Sequence, residues 1–208
     1  MTNATTKKRP RKPVRTAKQR RSKETVEVIL ESATRILSDH GWAALNTNAI
    51  AKRAGVSVGS VYEYFPNKHA IIDIILDRHL AQGEALINHG ASVISDNPSA
   101  EAVVQILVAG FVGIHSDDPK LHRALSSDVP LNGAQQNRVD AVRAKIINLT
   151  SAALSTHVKD PKTKATLLVD AADALTHRWL VDEVGVPVSA EVLSNELENM
   201  LRLYVLTA

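Results

Sequence analysis

Between Thr47 and Lys68 the chain reads TNAIAKRAGVSVGSVYEYFPNK, two short helix-forming stretches separated by a glycine, and no other stretch constrains the fold as much. Thr47 can cap a helix reaching Ala54, with Ile50, Ala51 and Ala54 as its buried stripe. Gly55 supplies a sharp turn, because glycine enters the left-handed backbone region without a Cβ clash. Ser57 is a good cap for a second helix over about 58–64, whose Val61 and Phe65 face back onto the first. Two short helices joined by a glycine-bearing turn make a helix-turn-helix.

The outer side of the second helix points to its use. Ser57, Val58, Gly59, Ser60, Tyr62 and Tyr64 are small or hydrogen-bonding, and no acidic residue occurs from Thr47 to Ser60. Such a helix fits a major groove, with Gly59 permitting close approach and Ser60 and Tyr64 directed at base edges. Thr47, Tyr62 and Lys68 are the expected phosphate contacts, which set register without reading sequence. Glu63 is the exception, and a carboxylate there is expected to point away from the phosphates.

Thr47, Ile50, Ala51, Ala54, Gly55, Val56, Ser57, Gly59, Val61, Tyr62, Phe65 and Lys68 together resemble the pattern of the TetR family of one-component transcriptional repressors. Ile29, Leu30, Ala33 and Gly41 upstream match that family's first helix, whereas Val26 stands where the family often has arginine. The resemblance is specific over about 25–72 and only architectural beyond. It implies an all-α protein with an N-terminal three-helix DNA-binding domain and a C-terminal helical bundle for effector binding and dimerisation. It also implies a homodimer on a palindromic double-stranded DNA operator, released by a small-molecule effector that the resemblance does not identify.

Charge is distributed unevenly. Ten of the 25 Lys and Arg fall in the first 23 residues with no Asp or Glu among them, so the remainder carries 15 basic against 22 acidic groups, a net of −7. Residues 1–22, with Pro10 and Pro13 and almost no apolar side chain, read as a disordered basic arm. A solubilising leader and an arm following DNA backbone or minor groove both suit this composition. An architectural or nonspecific DNA-binding protein that relies on the arm is the alternative function. The arm lacks the apolar core of a signal peptide, no membrane partner is expected, and the expected compartment is the cytoplasm. With no cysteine, disulfides and Cys-based zinc sites are excluded.

The remaining helices follow from apolar spacing and punctuation. The first is expected over about 23–39, ending at His40-Gly41, with Trp42 and Leu45 filling the core of a DNA-binding domain over 23–66. An effector and dimerisation domain follows over 67–208. Asn67 caps a helix towards His89, and Gly90, Asn97 and Pro98 mark a loop. The run AVVQILVAGFVGI (helix about 100–116) is apolar nearly all round and belongs at the centre of a bundle, being too short and charge-flanked to cross a membrane. Further helices are expected over about 118–127, 133–157, 161–184 and from Ser189 onward. The third-last of these carries Val139, Val142, Ile146, Leu149 and Leu154 as its inner stripe.

The last two helices carry apolar residues at more positions than one buried stripe needs, with Leu167, Leu168, Ala171, Leu175, Trp179 and Leu180. The resemblance places a dimer interface on these helices, and Leu168, Leu175, Trp179, Leu197, Leu201 and Tyr204 are its candidates. Leu107, Phe111, His115, Leu125, Val142, Ile146 and His177 are the candidate effector-pocket residues, although each is also an ordinary core candidate. So few aromatic residues favour an aliphatic or small polar effector over a flat polycyclic cation.

Two constellations invite other functions. Gly55-Val56-Ser57-Val58-Gly59 matches the G-x-S-x-G nucleophile elbow, but that motif needs a preceding strand and TNAIAKRA is helical. No other convergent catalytic set appears, so neither an enzyme nor a cofactor is expected. His115 and His122 can converge near Asp117 and Asp118 as a metal site. The competing reading leaves His122 in solvent and His115, favoured as the protonated ring, capping carbonyls near a helix end. No metal is expected.

Overall fold

The computed structural model describes residues 14–96, 99–182 and 188–206, all helices and connecting turns without a strand among them. Helix α1 spans Val14–Ala44. It starts nine residues before the expected Lys23, so residues 14–22 belong to a helix and not to a disordered arm. After Pro13 nothing breaks the helix before Gly41, and an Arg20–Glu24 pair at 3.3 Å and a Thr25 hydroxyl bonded to the Arg21 carbonyl at 2.9 Å brace its first turns. The rest of the expected arm, residues 1–13, lies outside the described residues. Gly41, at φ 72° and ψ −178°, kinks the helix where glycine is required.

Helix α2 (Thr47–Ala54) is capped by Asn46, not Thr47: the Asn46 side chain accepts from the Ala49 amide at 2.9 Å, which makes Thr47 the first helical residue. Gly55 is left-handed at φ 67°, and Ser57 caps α3 (Val58–Tyr64) by accepting from the Ser60 amide at 3.0 Å. Ile50, Ala51, Val61 and Phe65 bury against Ile29, Leu30, Ala33, Leu37 and Leu45. The same cluster takes in Ile71, Ile72, Ile75, Ala124, Leu125 and Val129. The N-terminal core therefore crosses the expected boundary at residue 66, because three helices of this length cannot close a core on their own.

Helix α4 (Lys68–Asp96), capped by Asn67, continues well past His89, where a loop was expected. Gly90 lies inside it, and a Cβ there would collide with Ile106 Cγ2; at Gly83 a Cβ would sit 3.0 Å from Ile114 Cδ1. Both glycines permit close packing on α5 and do not punctuate the chain. Asn97 and Pro98 lie outside the described residues.

Helix α5 (Ala100–Asp117) starts at the Ser99 cap. At 18 residues and a mean hydropathy of 1.2 it is long and apolar enough to cross a membrane, contrary to the expectation from sequence. It packs instead against α4, α7, α8 and α9. Helix α6 (Pro119–Arg123), capped by Asp118, runs into a π-turn over Ala124–Asp128. Helix α7 (Gly133–Leu154) opens on a reciprocal capping box between Asn132 and Gln135 and ends three residues before the expected 157. Helix α8 (Pro161–Thr176) runs into a second π-turn, His177–Val181, and α9 spans Ala190–Leu206.

The second core joins Val103, Val104, Val108, Val112, Ile147 and Leu154 to Leu168, Leu197 and Leu201. Those last three were expected at a dimer interface. They are buried within their own subunit because α8 and α9 pack against α5, whose exposed face, short of its last residue, is confined to Gln105, Ala109, Gly113 and Ser116. Lys164 reinforces that packing: it is buried, donates to the Tyr204 carbonyl at 2.9 Å and lies over the Tyr204 ring at 4.1 Å.

Candidate nucleic-acid interface and internal cavity

Helix α3 presents Ser57 and Gly59 to solvent, with Tyr62 54 % exposed and Glu63 also outward. The Tyr62 hydroxyl lies 3.2 Å from Thr47 Oγ1, which brings two of the expected phosphate contacts together across the turn. The Ser60 and Ser57 hydroxyls are 2.8 Å apart. Ser57 is thus committed to its cap, and it sits between two helices, not at the end of a strand.

Tyr64 and Val58 are less free than expected, since both pack part of their surface on the N-terminal core. A seven-residue helix cannot turn Val58, Gly59, Ser60, Tyr62 and Tyr64 all outward while burying one face. Lys68 is held from below: its ammonium donates to the Leu45 carbonyl at 3.1 Å and lies 3.6 Å above the Trp42 ring. An ammonium has three hydrogens, so two donors remain.

Behind this surface lies a cavity of about 700 Å³. Leu107, Phe111, His115, Leu125, Val142, Ile146 and His177, the expected pocket residues, all stand on its wall. None of the expected pocket residues came from α4, whose Leu76, His79, Leu80, Gly83, Ile87 and Gly90 line the facing wall. Their spacing of three and four was visible, but Gly83 and Gly90 carried no hydrophobic signal. Leu149, expected on an inner stripe, is 37 % exposed and also faces this space.

One end of the cavity is polar. His79 Nε2 is 3.0 Å from His122 Nδ1, the His115 and His122 ring centres are 4.1 Å apart, and His177 Nε2 lies 3.0 Å from Ser126 Oγ. Burial, reinforced by His115, His79 and His177, pushes the His122 pKa down to about 2. Burial likewise holds His79 and His115 below the usual imidazole range. His122 is therefore not the solvated residue expected, and His115, although bonded to the Phe111 carbonyl, is neutral, not protonated. No group of three or more His, Asp or Glu among the described residues is arranged to hold a metal ion.

Two contacts tie α6 and α4, which line the cavity, to α1. Asp118, which caps α6, also accepts from the Ser38 hydroxyl of α1 at 3.3 Å. Arg78 of α4 bonds both oxygens of Glu27 on α1 at 2.8 Å, which lowers the Glu27 pKa and raises that of Arg78.

Residues 29–74 match the bacterial regulatory proteins of the tetR family, and residues 99–204 match the tetracyclin repressor-like C-terminal domain. The HTH-type transcriptional repressor KstR of Rhodococcus jostii is 29 % identical over 104 residues, 50 % of this chain and 47 % of that protein. The class C tetracycline repressor protein of Escherichia coli is 34 % identical over 71 residues, 34 % of this chain and 30 % of that one. The chain spans about half the length of the first of these relatives and less of the second. Among solved structures, the regulator FadR of Bacillus subtilis in complex with stearoyl-CoA superposes with a TM-score of 0.65 at 18 % identity, covering 86 % of this chain and 97 % of that one. NalD of Pseudomonas aeruginosa, secondary repressor of a multidrug efflux pump, gives 0.68 at 18 % identity, over 88 % and 96 %. Likeness at that identity establishes the shared fold.

Proposed function

The chain belongs to the TetR family of bacterial regulatory proteins, and from that premise we propose a homodimeric, sequence-specific DNA-binding repressor released from a palindromic operator by a small-molecule effector. The observation that carries the reading is the sharing of α4 and α6 between the cavity wall and the core beneath α3. An effector that binds better when α4 and α6 are displaced shifts the dimer towards a state whose recognition helices no longer match successive major grooves. Only such a difference in affinity between states moves the equilibrium.

On this reading Thr47, Ser57, Gly59, Ser60 and Tyr62 meet DNA, with Val58, Tyr64 and Lys68 supporting them from partly buried positions. The effector occupies the cavity and touches Leu107, Phe111, His115, Leu125, Val142, Ile146 and His177. The partner subunit covers the outer face of α8 and α9, where Leu167, Val192, Met200, Leu203 and Leu206 are each close to half exposed or more. Partly exposed Leu175, Trp179 and Tyr204 border that face. As a DNA regulator without enzymatic activity, the protein works in the cytoplasm.

The test is fluorescence anisotropy with DNA from beside its own gene and a scrambled control at several salt concentrations. It compares the full chain with a form lacking residues 1–13, which leaves α1 whole. Preference for the native DNA that survives the deletion supports the repressor reading. Equal binding of both DNAs, lost on deletion, refutes it in favour of a nonspecific protein that binds through its basic arm.

A further inference from the structure

The polar end of the cavity contains a mismatch. The His115 ring is 1 % exposed, stands on the cavity wall, and directs Nδ1 at the Phe111 carbonyl oxygen at 2.7 Å. A carbonyl only accepts, so the ring hydrogen resides on Nδ1, and Nε2 of the neutral ring offers a bare lone pair. That Nε2 has no hydrogen-bond partner among the described residues. It faces Asp173 Oδ1 at 3.5 Å, one acceptor opposite another.

Protonating His115 would turn the pair into an ion pair, but burial outweighs the attraction of Asp173 and keeps the ring neutral. The neighbouring imidazoles do not supply the missing donor. His79 and His122 are bonded to each other, and His177 directs its nitrogens at Ser126 and Asp182. Arg143, a cation on the cavity wall, is bound by Asp170.

We infer that the cavity takes an aliphatic amphiphile whose polar head, a hydroxyl or a protonated amine, donates to His115 Nε2 and Asp173 Oδ1, and that it disfavours carboxylate heads. The inference rests on the effector reading of the cavity. A donor atom about 2.9 Å from each acceptor stands at the apex of a triangle over their separation. A carboxylate adds two acceptors and a negative charge beside Asp173, and the lone pair of Nε2 stays unsatisfied. The remaining wall, with Leu76, Leu80, Ile87, Leu107, Val142 and Ile146, suits an alkyl body.

The probes are 1-decanol, decylamine and decanoate, titrated calorimetrically into the full chain at neutral pH. The alcohol and the amine are expected to bind at least about tenfold more tightly than decanoate. In Asp173→Asn the amine loses about tenfold while the alcohol changes little, because the carboxylate charge is removed and an acceptor oxygen is kept. In His115→Phe both lose affinity. Decanoate binding as tightly as the other two, or an amine affinity indifferent to Asp173→Asn, overturns the inference and leaves the effector reading standing. Binding of none of the three overturns the effector reading and the inference together.

Discussion

His79 on α4 and His122 on α6 share a hydrogen at a nitrogen separation of 3.0 Å, and this contact ties the helix that follows the helix-turn-helix to the short helix α6. Since Ala124, Leu125 and Val129, just beyond His122, belong to the N-terminal core, any ligand that parts the two rings also moves that core. His122→Phe removes the bond and should uncouple effector from DNA. In an anisotropy assay the variant is expected to hold operator normally and to resist release at effector concentrations that free the original protein.

The same histidines set a pH dependence. Their folded pKa values lie below the unfolded value near 6.5, so the unfolded chain takes up the extra protons. The stability they contribute is complete above about pH 6.5 and is lost as pH falls towards the folded values. For His122, depressed to about 2, the loss between pH 6.5 and 5 is about 2 kcal/mol. Urea unfolding at pH 7.5 and 5 checks this, and His122→Phe should flatten the decline.

At the DNA surface, Tyr62→Phe removes only an exposed hydroxyl bonded to Thr47. Stability should change by no more than about 0.5 kcal/mol. Operator affinity should fall about tenfold or more, as expected for a lost bond to a phosphate. Equal affinity of the variant and the original protein would remove Tyr62 from the contact set.

Gly90→Ala places a methyl group against Ile106 and forces α4 from α5. A cost of about 1–3 kcal/mol is expected for this overpacking. Ile106→Ala in the same chain should recover part of it, so that a double-mutant cycle shows coupling between the two positions.

The two classes of leucine on α8 should part company. Leu167 is 50 % exposed and Leu168 is fully buried. Leu167→Asp is expected to give a folded monomer in light scattering coupled to gel filtration, whereas Leu168→Asp should unfold the chain. A dimeric Leu167→Asp protein would move the interface elsewhere.

The helix-turn-helix was legible from the residues because its signals are local. A serine cap, a left-handed Gly55 and the pair Val61 and Phe65 act within one or two turns and leave few alternatives. Five of the seven cavity residues, Leu107, Phe111, His115, Val142 and Ile146, were also within reach, since apolar spacing marks which side of α5 and α7 turns inward. Elsewhere the local signal pointed the wrong way. Gly90 has the composition of a loop and lies mid-helix, and Leu168, Leu197 and Leu201 look like surplus apolar surface until α5 is in place to cover them.

Apolar periodicity and capping chemistry thus determined that the chain is all helical, where most helices begin, and that α3 turns Gly59 and Tyr62 to solvent. Only the tertiary structure decided which apolar face meets its own core and which is left outward. It also drew His79, His115, His122 and His177 from four separate elements to one end of a cavity. The physical reason is range: caps and turns are settled by neighbours along the chain, whereas burial and the loss of imidazole charge depend on helices brought together from distant positions in sequence.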